Sequence, residues 1–96
     1  MRYKNPHYQR VRGSSTMLVS CGHCRNNIVL YQKVGKGALL RMYVERIVKG
    51  SVDLSQKPGL LICPHCKEQL AMRVTLRRKN KEAYIVKRGA LHSRFL

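Results

Sequence analysis

Cys21-Gly22-His23-Cys24 and Cys63-Pro64-His65-Cys66 use every cysteine in the chain, and no other stretch constrains the fold as tightly. Each pair leaves two residues between its cysteines. That spacing lets both sulphurs face one ion at about 2.3 Å while backbone N–H groups of the turn point back at the thiolates. Gly22 and Pro64 put a small and a rigid residue after the first cysteine of each pair. No cysteine intervenes between Arg25 and Ile62, so two separate turns must meet in space to share an ion. The pattern predicts that Cys21, Cys24, Cys63 and Cys66 hold one structural Zn2+ in a closed tetrahedral site. Four thiolates complete such a site, so His23 and His65 are expected to be exposed loop imidazoles rather than ligands.

Two redox CxxC motifs would each need a helix starting at the first cysteine, and strand-like residues flank both here. Met17, Val19 and Cys21 alternate with Leu18 and Ser20, which predicts a short strand entering the first turn. Ile28 to Val34 is rich in β-branched residues and reads as its partner, with Gly35-Lys36-Gly37 expected to close a hairpin after it. Leu60-Leu61-Ile62 leads into the second turn. Leu70, Met72, Val74 and Leu76 then alternate strictly with Ala71, Arg73, Thr75 and Arg77, and after a turn at residues 78–82 the stretch Ala83 to Lys87 reads as another strand. Ala38 to Val48 supports two readings. A strand puts Leu40, Met42 and Val44 on one face; a helix stacks Leu40, Val44, Ile47 and Val48. The glycine turn before it favours strand. Residues 49–59 read as a loop. The expected architecture is a small, mainly-β zinc ribbon, with two CxxC knuckles on β-hairpins. A basic N-terminal arm covers residues 1–16, the ribbon domain residues 17–88 and a C-terminal tail residues 89–96.

With 96 residues there is room for one small domain. A chain this short buries only about 60% of its unfolded surface, so its core is marginal without a metal or another staple. Twenty Lys and Arg against four Asp and Glu give a formal charge of +16, which four thiolates on one divalent ion would lower to about +14. The longest uncharged apolar run, Gly59 to Cys63, is far below the roughly 18 residues of a membrane helix. An apolar share of 44% in patterned stretches argues against disorder. Four scattered acids, with no evident partner for Glu45 or Asp53, offer no acid–base pair, and the chain is expected not to be an enzyme. No apolar core of a secretory signal is visible, and Pro6 and Gly13 break the helix a transit peptide needs. The cysteines are therefore expected in a reducing compartment, cytoplasmic or organellar.

A charge surplus this large is costly unless phosphates neutralise it. The positions expected to contact nucleic acid are Arg2, Lys4, Arg10 and Arg12 in the arm, and Arg25, Lys36 and Lys67 near the turns. Arg73, Arg77, Arg78, Lys79, Lys81, Lys87, Arg88 and Arg94 complete the set towards the C-terminus. RNA is favoured over DNA because no capped, base-reading helix is visible, while Tyr3 and Tyr8 interleave with cations as stacking on unpaired bases requires. A DNA-binding or transcription-associated ribbon is the second reading. The third is a protein-interaction module docking an acidic partner through Leu39, Leu40 and Ile47.

On its two CxxC turns and basic ends, the chain resembles the zinc-ribbon superfamily and, within it, small zinc-binding ribosomal proteins. Arg25 and Lys67 stand where those families usually carry glycine, which sets two cations beside the anionic centre. The resemblance implies a non-catalytic role in gluing folded rRNA within a ribonucleoprotein, the arm and tail threading between RNA helices.

Overall fold

Two hairpins carry the cysteine turns at their tips. β2 (Ser15–Cys21) and β3 (Asn27–Lys33) flank the first turn, and β6 (Leu60–Ile62) and β7 (Gln69–Leu76) flank the second. The computed structural model describes residues 1–35 and 37–96; Lys36 lies outside the described residues. The remaining strands are β1 (Tyr3–Lys4), β4 (Arg41–Tyr43), β5 (Ile47–Gly50), β8 (Lys81–Val86) and β9 (Leu91–Phe95). They form a five-stranded sheet in the order β1-β5-β3-β2-β9 and a four-stranded sheet in the order β4-β8-β7-β6. Each hairpin belongs to a different sheet, so the cysteine turns bridge the two.

The core is one cluster fed from both sheets. Met17, Val19, Val29, Tyr31 and Ile47 come from the five-stranded sheet, and Met42, Leu61, Ala71 and Tyr84 from the four-stranded one. The Tyr31 hydroxyl accepts the Tyr43 backbone N–H at 2.9 Å, so one of the two largest core side chains has a partner at its buried tip. Burying each large apolar side chain contributes about 1.5–3 kcal/mol.

The structure departs from the sequence reading in three places. Residues 38–48 are neither one strand nor a helix. β4 ends at Tyr43, a single 3-10 turn spans Val44–Arg46, and β5 begins at Ile47. The break has a packing cause: Met42 fills the core from one sheet and Ile47 from the other, so the chain must cross between them. Gly35 and Gly37 accordingly lie in this crossover and close no hairpin, since β3 pairs with β2 and β5, and β4 pairs with β8.

The expected tail is the second departure. Leu91–Phe95 is a strand paired with β2 from Met17↔Phe95 to Cys21↔Leu91. It shows no apolar alternation because it is an edge strand with little to bury. The arm is the third. Lys4 pairs with Lys49, and buried Asn5 donates through its side-chain amide to the Val44 and Ile47 carbonyls at 2.7 and 2.8 Å. Its carbonyl oxygen accepts the His7 N–H at 3.0 Å. One asparagine thus fastens the N-terminal segment to the crossover. The radius of gyration, 12.2 Å, is about that of a packed chain of this length, which leaves neither end projecting.

Candidate metal centre and basic sheet face

The two cysteine turns fold alike because their backbones close the same two hydrogen bonds. Arg25 N–H donates to the Cys21 carbonyl at 3.0 Å and Cys21 N–H to the Asn26 carbonyl at 2.9 Å. In the second turn, Lys67 N–H donates to Cys63 at 3.0 Å and Cys63 N–H to Glu68 at 2.9 Å. Both hairpins shift register just before the cysteine, between Val19 and Ser20 and between Leu61 and Ile62. The shift leaves Ile28 and Leu70, at matching positions after each turn, fully buried. Arg25 and Lys67 adopt φ of +66° and +67°. That left-handed conformation is why glycine suits the position, and a side chain there costs roughly 1–2 kcal/mol.

Facing tips bring all four Sγ atoms within 4.8 Å of one another. The closest approaches run across the sheets: Cys21 to Cys66 and Cys24 to Cys63, each 3.5 Å. These distances exceed a disulfide bond of about 2.05 Å. They fit the edge of a tetrahedron of sulphurs about 2.3 Å from a central ion, roughly 3.8 Å. Cys21 and Cys63 are buried, while Cys24 and Cys66 are partly exposed. The four sulphurs can hold a metal ion between the sheets.

Their protonation shows why a cation belongs there. The Cys24 thiol is lowered to about 6, first by the Asn26 backbone N–H and then by the Asn26 side-chain amide, whose nitrogen donates to Sγ at 3.3 Å. At Cys66 the Glu68 backbone N–H also favours the thiolate. Burial and the neighbouring sulphurs of Cys21, Cys63 and Cys24 outweigh it and push the thiol up to about 12. A negative charge settles readily on Cys24, while one on Cys66 is opposed by the sulphurs beside it. A divalent ion removes that opposition.

Beside this centre, the five-stranded sheet turns a basic face outward. Residues paired across antiparallel strands share a face. The register therefore lines up Lys4, Lys49, Leu30, Leu18 and Arg94 in one row across all five strands. Not one of these five strands contains a carboxylate. Thr16 and Gln32 pair one row away and hydrogen-bond through their side chains at 2.7 Å. They also line a groove of about 720 Å³ together with Tyr8, Arg10, Arg12 and Ser14, so the arm's cations and the sheet face are continuous.

The expected nucleic-acid residues divide accordingly. Arg2, Lys4, Arg10, Arg12 and Arg94 are exposed on or beside the basic face. Arg25 and Lys67 are exposed at the sulphur cluster, where Lys67 Nζ donates to the Pro64 carbonyl at 3.0 Å. Arg77, Arg78, Lys87 and Arg88 are exposed at the ends of the β7–β8 hairpin, away from that row. Lys79 there donates to the Tyr43 hydroxyl at 3.0 Å.

Two residues in the expected set are committed internally. Arg73 holds Glu82 through two nitrogens at 2.7 and 3.3 Å and the Tyr84 hydroxyl at 3.2 Å, and its guanidinium keeps the Glu82 carboxyl below its usual range. Lys81 holds Glu45 at 2.6 Å. Glu45 thus has the partner that the sequence hid, and Asp53 accepts the Ser55 N–H and hydroxyl at 2.9 and 2.6 Å. Lys49 was missed because the glycine and serine after it made residues 49–59 read as a loop, whereas β5 runs on to Gly50. Thr16 and Gln32 carry no charge to mark them.

Among the described residues no helix is long and apolar enough to cross a membrane. No protein-family model, curated protein or solved structure matches the chain.

Proposed function

We infer that the chain is a non-catalytic RNA-binding protein whose fold is held by one zinc ion on Cys21, Cys24, Cys63 and Cys66. RNA phosphates lie along the row from Lys4 to Arg94 and into the Arg10–Arg12 groove. In this reading the protein is a cytoplasmic component of the ribosome or another ribonucleoprotein. The observation that carries it is the acid-free five-stranded sheet of a chain with a formal charge of +16. A polar face ordered by hydrogen bonds and lined by cations suits a phosphate backbone, which is neutralised contact by contact with release of counterions. Zinc is favoured among metals because an all-thiolate tetrahedral set selects it over oxygen-seeking ions. The protein-docking reading through Leu39, Leu40 and Ile47 loses a contact residue, since Ile47 is fully buried.

Salt-dependent titration with a structured RNA tests the proposal. The triple variant Lys4→Ala, Lys49→Ala, Arg94→Ala should flatten the log-affinity against log-salt slope by about 2–3, one increment of 0.7–0.9 per lost phosphate contact. A slope that stays put removes the sheet face from the interface. Competition by duplex DNA at matched salt separates the RNA reading from a DNA-binding ribbon. Elemental analysis should return one zinc per chain.

A further inference from the structure

The four-stranded sheet turns out a face of the opposite character. Its register draws Leu60, Met72, Ile85 and Arg41 into one row across β6, β7, β8 and β4. Leu60, Ile62 and Met72 are 41%, 42% and 51% exposed, while their neighbours Leu61 and Ala71 point into the core. Val74 follows Met72 on the same side. Aliphatic side chains gathered on one sheet face of a soluble domain mark a contact surface more often than scattered exposed ones do.

Three observations narrow what covers it. The face offers no open aromatic ring for a nucleobase to stack on. Tyr43, one row over beside Val74 and Ala83, is capped by Arg46, Lys79 and Lys81 at 4.6, 5.3 and 5.9 Å. A second copy of the chain would bring a like charge of +16. The row ends on exposed Arg41, and exposed Lys87 follows Ile85 two residues on. Glu82, the one carboxylate in these four strands, lies on the opposite face and is held by Arg73.

We propose that this face docks an acidic protein segment, whose apolar side chains cover Leu60, Ile62 and Met72 while its carboxylates meet Arg41 and Lys87. The inference stands apart from RNA binding, which uses the other sheet. One molecule then joins a polyphosphate on one side to an acidic protein on the other.

The test uses the metal-loaded chain with 13C-methyl methionine and a peptide of alternating leucine and glutamate as probe. The Met72 methyl resonance should shift on titration while those of buried Met17 and Met42 stay in place. Met72→Gln and, separately, Ile62→Gln should each weaken the peptide about tenfold, the share one partly buried apolar side chain supplies. RNA affinity should stay within twofold of the unaltered chain. The two variants change different exposed positions, so a folding defect in one leaves the other to decide.

Three outcomes overturn the proposal. Polyglutamate of equal length binding as tightly as the probe would reduce the interaction to charge alone. A Met72 shift produced by raising protein concentration would assign the face to a second copy. The same shift on adding RNA would assign it to nucleic acid.

Discussion

The turn at Cys21–Asn26 and the turn at Cys63–Glu68 share hydrogen bonds, register shift and left-handed residue, yet the chain surrounds them differently. Gly22 in the first packs against the start of the C-terminal strand. Its N–H donates to the Ala90 carbonyl at 2.8 Å, and a Cβ there would lie 2.9 Å from that oxygen and 3.0 Å from the Gly89 oxygen. Pro64 fills the same position in the second turn, can donate no backbone N–H, and has no such strand upon it. Asn26 gives a side-chain hydrogen bond to Cys24, whereas Glu68 at the matching position offers a carboxylate, 3.8 Å from His23 of the other turn. The difference teaches that bringing two sulphurs to one point fixes the backbone of a turn, while the residues at its free positions serve whatever packs against it.

The comparison can be broken most severely at the ligands, where the turns should be equivalent. Cys24→Ser and Cys66→Ser are each expected to leave the chain largely unfolded, since the binding energy of a metal held by all four cysteines would be folding energy. Circular dichroism and chelator-dependent melting check this. A folded Cys66→Ser protein would mean the first turn holds the metal alone.

Next in size is the contact that only one turn makes. Gly22→Ala forces a methyl group against backbone oxygens that cannot rotate away, and should cost about 1–3 kcal/mol in denaturant unfolding. Pro64→Ala should change stability by less than about 0.5 kcal/mol. Faster amide exchange along Leu91–Phe95 in Gly22→Ala alone would locate the damage in β9.

The outer-shell difference should read out in metal affinity. Asn26→Ala is expected to weaken metal binding roughly tenfold in chelator competition, the lower end for losing a hydrogen bond to a ligand. Glu68→Ala keeps the backbone N–H that serves Cys66 and should change affinity less than twofold. Equal losses would show that the Asn26 side chain adds nothing beyond its backbone.

The smallest effect belongs to the His23–Glu68 contact, with side chains 62% and 46% exposed. A double-mutant cycle through His23→Ala and Glu68→Ala should give a coupling below about 0.5 kcal/mol that vanishes in salt.

The cysteine turns were legible in the sequence because ligand spacing is a local property, fixed by two intervening residues. So was the β7–β8 hairpin, although the alternation of Leu70 to Leu76 does not set burial there: Leu70 and Ala71 are both buried and Met72 is exposed, where the register shifts against β6. What the sequence hid depends on which sheet a residue serves. Met42 and Ile47 fall in one stretch that reads either as a strand or as a helix, although each fills the core from a different sheet. Leu91–Phe95 carries no pattern because an edge strand buries little, and its place is set by distant β2. The basic row is a product of register as well: Lys4, Lys49 and Arg94 are far apart in sequence and join one row only through four successive strand pairings.

The pairing of β9 with β2 also has a consequence for the order of events at the ribosome. β2 is made some 70 residues before its outer neighbour, as the numbering Ser15–Cys21 and Leu91–Phe95 shows. At about 5–20 residues per second, the residues of β2 wait on the order of ten seconds for that partner to be made. Thr16 and Ser20 flank Leu18 on the face that β2 turns outward, so this edge is only partly polar until β9 pairs with it.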